Sequence, residues 1–129
     1  MSKQIQSIKS SDKIEFYKNG QKRYKGHYKY EKEDGLWISW YENGQKLTEI
    51  PYKDGKEDGL RKDWYENGQK WFEGNYRDGK PHGIQFSWHL NGQKQSELKF
   101  NNGKLIYRKQ FREDGKVKEF KEFKEFKEF

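Results

Sequence analysis

The seven residues WYENGQK stand at 40–46 and again at 64–70, with FYKNGQK at 16–22 and WHLNGQK at 88–94. Each copy begins 24 residues after the last. On that period the chain reads as units 17–40, 41–64 and 65–88, then a fourth, 89–111, that is one residue short. A fifth opens with REDGKVKEF at 112–120 and departs from the pattern. A fixed period in the twenties restricts the fold severely. Each unit is then one supersecondary element that cannot bury its own face and stacks on its neighbours instead.

Within a unit the punctuation is that of hairpins, with Asn-Gly and Asp-Gly dipeptides separating short aromatic and β-branched runs. In LWISW (36–40) and IQFSW (84–88) the even positions are apolar. After each Asn-Gly the even positions are again apolar or small: Tyr24, Gly26 and Tyr28; Ile50 and Tyr52; Phe72, Gly74 and Tyr76; Leu98 and Phe100. Even positions on both strands of a hairpin share a face only if the loop holds an odd number of residues. A three-residue loop such as Glu42-Asn43-Gly44, with its glycine left-handed as a bulge, meets that condition; a two-residue turn does not. The second junction, YKDGKEDG (52–59) and YRDGKPHG (76–83), reads as a tighter connection on the opposite edge. The expected architecture is all-β, an elongated antiparallel meander of repeated β-hairpins with roughly nine or ten short strands. One face is expected to be aromatic and the other polar, with Gly26 and Gly74 clearing room for a ring from the adjacent strand.

Composition supports a thin, ring-rich fold. Hydrophobic residues make up only 29% of the chain and charged residues 38%, but aromatics reach 18%, so large rings must do most of the burying. Residues 1–30 hold eight Lys/Arg against two acids and residues 31–129 hold twenty against nineteen, so six of the seven net positive charges lie in the first thirty residues. A nucleic-acid face would instead run a basic column through the repeats, so no nucleic-acid partner is expected. With no cysteine there is neither a disulfide nor a thiolate metal site. The N-terminus carries no apolar h-region, and the expectation is a soluble, cytoplasmic chain. Three parts are expected: a basic N-terminal segment 1–15, a repeat domain 16–120 and a low-complexity KEF tail 121–129.

The octads YKDGKEDG (52–59) and YRDGKPHG (76–83) resemble the membrane occupation and recognition nexus (MORN) repeat, and the added YENGQK hairpin is similar to its bacterial variant. That variant occurs in the YwqK-like group of antitoxin components of toxin–antitoxin modules. The resemblance covers roughly residues 16–120 and is carried by five-fold repeated punctuation. It implies a binding protein that neutralises a cognate protein toxin. The name of the parent repeat implies an alternative, a scaffold module at an anionic membrane surface, toward which the lysines of the first thirty residues would contribute attraction.

Catalytic constellations are missing from the sequence. His27, His82 and His89 occupy different columns, carboxylates lie in turns or beside lysines, and no nucleophile elbow, P-loop or dinucleotide fingerprint occurs. No enzyme activity, cofactor, metal or small-molecule substrate is expected. Candidate partner-binding residues are the column Tyr17, Tyr41 and Tyr65, together with Trp37 and Trp71, which parity places on the polar face. The alternative for these rings is lateral shielding of the sheet. The tail KEFKEFKEFKEF (118–129) repeats every three residues and fits neither a strand nor a helical stripe along its length. It is expected to begin as a last strand.

Overall fold

Asn-Gly and Asp-Gly become the two edges of one open sheet. The computed structural model describes residues 9–123, and no helix occurs among them. The strands are β1 (Ser10–Phe16), β2 (Lys22–Lys29), β3 (Lys32–Glu33), β4 (Gly35–Trp40), β5 (Lys46–Lys53), β6 (Lys56–Glu57), β7 (Gly59–Trp64), β8 (Lys70–Arg77), β9 (Lys80–Trp88), β10 (Lys94–Asn101), β11 (Lys104–Phe111) and β12 (Val117–Glu122). Ten of them run in sequence order across the sheet, every pairing antiparallel; β3 and β6 are stubs paired to β2 and β5. The sheet therefore begins inside the segment expected to precede it, because residues 10–15 pair fully with β2. At the other end β12 takes in the first KEF residues, while 1–8 and 124–129 lie outside the described residues.

The Asn-Gly edge has the expected three-residue loop. Tyr41 N donates to Gln45 O at 2.8 Å, Gly44 N donates to Tyr41 O at 3.0 Å, and Gly44 sits at φ +88°, where any side chain is strained. The opposite edge is built of two-residue turns with both residues left-handed, such as Asp54 (φ 52°) and Gly55 (φ 80°) between the paired Lys53 and Lys56. In the first unit Tyr30 and Glu31 hold that conformation without a glycine. On this edge Tyr76 pairs with Pro81 but Gly74 with Gln85, so His82 and Gly83 bulge out. The fourth unit is one residue short at this point, for Phe100 pairs with Leu105 and Lys99 with Tyr107, leaving Ile106 alone as the bulge.

One feature overturns the parity reading. Trp40 pairs with Lys46, but Ser39 pairs with Thr48, so Leu47 is an extra residue in β5. Arg23, Trp71, Gln95 and Lys118 stand at the same irregularity in the other hairpins. An odd loop followed by one extra residue inverts the relation between the strands, so odd positions of β4 share a face with even positions of β5. One face, here face A, carries the row Trp37, Ile50, Arg61, Gly74, Gln85, Leu98 and Arg108. The other, face B, carries Ile38, Glu49, Lys62, Glu73, Phe86, Glu97 and Lys109. The division into one aromatic and one polar face is thereby corrected: both faces are mixed.

No apolar side chain is fully buried among the described residues; the most enclosed side chains are Asp63 and Gln85, on face A. Burial comes from neighbours within the layer. A Cβ on Gly26 would fall among the ring atoms of Trp37, so glycine there is a seat for that ring, as expected. At Gly74 the occupant is different, the side chain of Gln85, at 2.7 Å from a built Cβ.

Candidate binding surface

The repeated motif is largely spent on joining each hairpin to the next. The hydroxyls of Tyr17, Tyr41 and Tyr65 donate to the carbonyls of Trp40, Trp64 and Trp88 at 2.7, 2.7 and 2.6 Å. His89 continues that column, its Nε2 lying 3.1 Å from Phe111 O. Asn43 Oδ1 accepts from Gln45 N at 2.9 Å, while its Nδ2 donates to Glu66 O of the next tip at 3.0 Å. Asn19 and Asn91 do the same. In the last hairpin Asp114 stands in this column and keeps the acceptor half, taking Lys116 N at 2.9 Å. Lys22, Lys46 and Lys70 each lie over the Trp that closes their own unit and opens the next motif, at 5.4 to 5.7 Å from its ring centroid.

The five candidate residues thus separate. Tyr17, Tyr41 and Tyr65 form the hydrogen-bonded ladder. Trp37 lies on face A, against Tyr28 (5.0 Å between centroids), Tyr24 (6.1 Å) and Tyr52 (6.3 Å), with its Nε1 donating to His27 O at 3.1 Å. Its expected place on the outward polar face is corrected by the extra residue in β5. Trp71 is itself the extra residue of β8, exposed beside Tyr65 and Phe72 at 6.3 and 6.0 Å. Only Tyr65 and Trp71 come together.

Face A pairs most of its polar groups within the layer, Arg108 Nε being a buried donor left without a partner. The Arg61 guanidinium bonds both oxygens of Asp63, at 3.0 and 3.1 Å, and reaches Glu57 at 3.2 Å. Burial pulls the Arg61 pKa down, but the Asp63 hydrogen bond and the charges of Asp63 and Glu57 outweigh it, so the net shift is upward. Burial likewise pushes up the phenols of Tyr52 and Tyr76.

Face B is different. Of the large apolar side chains that stand exposed, Ile14, Phe16, Leu36, Leu60, Ile84, Val117 and Phe120 all register on it. The other three, Tyr30, Leu90 and Trp71, sit at turns or the extra residue, and none lies on the regular rows of face A. Leu36, Leu60 and Ile84 (49, 40 and 38% exposed) fall in one transverse row with Pro51 between the first two. Toward the Asn-Gly edge the row is bordered by three i,i+3 ion pairs, Lys46–Glu49, Lys70–Glu73 at 2.6 Å and Lys94–Glu97 at 3.6 Å. Glu97 also accepts the Tyr107 hydroxyl at 2.6 Å, and that hydrogen bond, with burial, pushes the phenol up to about 12.

The parity of LWISW and IQFSW puts Leu36 and Ile84 on the expected aromatic face and leaves Leu60 unassigned, so this row does not emerge from the sequence. The signal was present in the thrice-repeated Lys-x-x-Glu after each Asn-Gly-Gln, since residues three apart on a regular strand face opposite ways and cannot pair. Among the described residues no three His, Cys, Asp or Glu gather as a metal site would need. His82 Nδ1 instead accepts Asn102 N at 3.4 Å, as Asp58 Oδ1 accepts Asp78 N at 3.3 Å one unit earlier.

No curated protein matches this chain at a significant level. The MORN repeat variant family matches at residues 12–30, 33–54, 57–78 and 81–102. These segments coincide with the hairpins β1–β2, β4–β5, β7–β8 and β9–β10 and take in more than half of the chain. By the order of its hairpins and by that match, the chain belongs to the MORN repeat variant family.

Proposed function

We propose that this chain is a non-catalytic, cytoplasmic binding module that holds a protein partner on face B, and that the partner is a toxin which it neutralises. The observation that carries the reading is the gathering of exposed Leu36, Leu60 and Ile84 in one row of an open sheet whose other face packs on itself. Large exposed apolar patches with polar rims mark interaction sites, and a rigid preformed sheet lowers the ordering cost of binding. Glu49, Glu73 and Glu97 are each ion-paired to a lysine, so the border of the row is charge-balanced, and the apolar row rather than net charge favours a protein over an anionic lipid surface. The toxin comes from the likeness to antitoxin components.

The test is growth rescue on co-expression with the product of the adjacent gene. The wild-type chain should rescue, and the triple variant L36T/L60T/I84T should not, while keeping its Tm, since threonine retains strand propensity. Toxicity that persists with the wild-type chain removes the toxin from the reading. Full rescue by the triple variant removes face B.

A further inference from the structure

We propose that the partner presents an acidic segment to the first hairpin, β1–β2, at the end of face B; this rests on face B being the binding face. In the next three hairpins a lysine after Asn-Gly-Gln meets a glutamate of the same strand: Lys46–Glu49, Lys70–Glu73 and Lys94–Glu97. The first hairpin keeps the lysine, Lys22, but holds Lys25 where the others hold glutamate. Two ammonium groups therefore occupy positions that elsewhere bring cation and carboxylate together, and no acid among the described residues pairs with either. Two further columns turn basic in the same hairpin. Lys18 replaces Glu42 and Glu66 at the tip, and Arg23 replaces Leu47 and Trp71 at the extra residue. Around Lys22 and Lys25 stand exposed Ile14 and Phe16, their cross-strand partners. A carboxylate-bearing strand or loop with apolar side chains meets both demands, supplying the missing acid between the two lysines and covering the rings and aliphatics beside them.

The replacements K18E, R23L and K25E give the first hairpin the residues that the second already carries at those columns, so the fold has a working precedent for each. Titration with a glutamate–tyrosine copolymer should show binding by the wild-type chain and a loss on the order of tenfold in K18E/R23L/K25E, lessened by added salt. Equal affinity of the two chains overturns the proposal, whatever the rescue experiment shows. So does saturable binding of the wild-type chain to phosphatidylserine vesicles with none to the copolymer, which makes the basic end a membrane contact. If the copolymer discriminates while L36T/L60T/I84T still rescues growth, the acidic docking stands and the Leu36–Ile84 row falls.

A second inference comes independently from register: we infer that β1 and β12, the outermost strands among the described residues, are built to refuse one another. A repeat sheet can propagate when one copy's last strand accepts the next copy's first, giving open filaments. Continuing the interior register, in which β10 meets β11 through Ser96–Gln110, Glu97–Lys109 and Leu98–Arg108, would set Glu119 of β12 against Glu15 of β1. It would also set Lys121 against Lys13 and Glu122 against Asp12. Three like-charged pairs directly opposite are each unfavourable. Two interior junctions instead place Glu49 on Lys62 and Glu97 on Lys109, and the other two set Lys25 on Ile38 and Glu73 on Phe86. Sedimentation velocity should find the wild-type chain monomeric, and both E119K/K121E/E122K and D12K/K13E/E15K should form concentration-dependent oligomers. Combining the two swaps should restore the monomer. Oligomers of the wild-type chain, or single swaps that stay monomeric with a strand spectrum intact, overturn the inference.

Discussion

Faces A and B are built from the same strands and the same repeat, yet only face A pairs its large side chains within the layer. On face A, Trp37 sits over Gly26 among three tyrosines, and Arg61 is shared between Asp63 and Glu57. On face B, Leu36 and Leu60, one residue before Trp37 and Arg61, are left exposed. The difference teaches that in a one-layer sheet without a buried apolar core, composition does not identify the structural face. Closure within the layer does: a side chain that finds its partner in the next strand stabilises the fold, and one that does not is available to something else.

The largest expected break is on face A. Trp37→Ala should cost about 3 kcal/mol, because it empties the seat over Gly26 and strips the contacts of Tyr24, Tyr28 and Tyr52; urea unfolding measures it. Next comes Arg61→Ala, at about 2–3 kcal/mol, since it leaves Asp63, the one buried carboxylate among the described residues, without its cation. Removing the hydroxyl in Tyr41→Phe should cost about 1 kcal/mol by loosening one link of the ladder to Trp64 O.

A pH series sharpens the comparison on face B. The Tyr107 phenol is raised from 10.0 to about 12 by its bond to Glu97. A raised folded-state pKa means that its contribution is complete below pH 10 and lost as pH rises through about 12. The stability difference between wild type and Tyr107→Phe should therefore shrink across that interval. Smallest of all is Leu60→Thr, which should change stability by less than about 0.5 kcal/mol because the side chain stands in solvent.

Most of the architecture was legible because the turn chemistry is explicit. Asn-Gly with a three-residue loop, Asp-Gly on the far edge and glycine beneath a ring at Gly26 each follow from local backbone demands. Faces were not legible by counting parity, since one extra residue at Leu47, Trp71 or Gln95 inverts every side chain beyond it. Nothing in the identity of those three residues marks them, and only the Lys-x-x-Glu spacing around them does. The tyrosine column was visible as a column, but its use required knowing that the next hairpin's carbonyl lies within reach of each hydroxyl. For the same reason the exposed row was not legible: Trp37 drew attention as an aromatic, while Leu36 beside it was assigned to the aromatic face and Leu60 to neither.

The division of labour between the faces is tested most directly by hydroxyl-radical footprinting of the chain alone and in complex with the adjacent gene's product. Leu36, Leu60 and Ile84 should be modified in the free chain and protected in the complex, with Trp37 unchanged between the two states. Protection falling on Trp37 and Trp71, with the leucine row still modified, would contradict it.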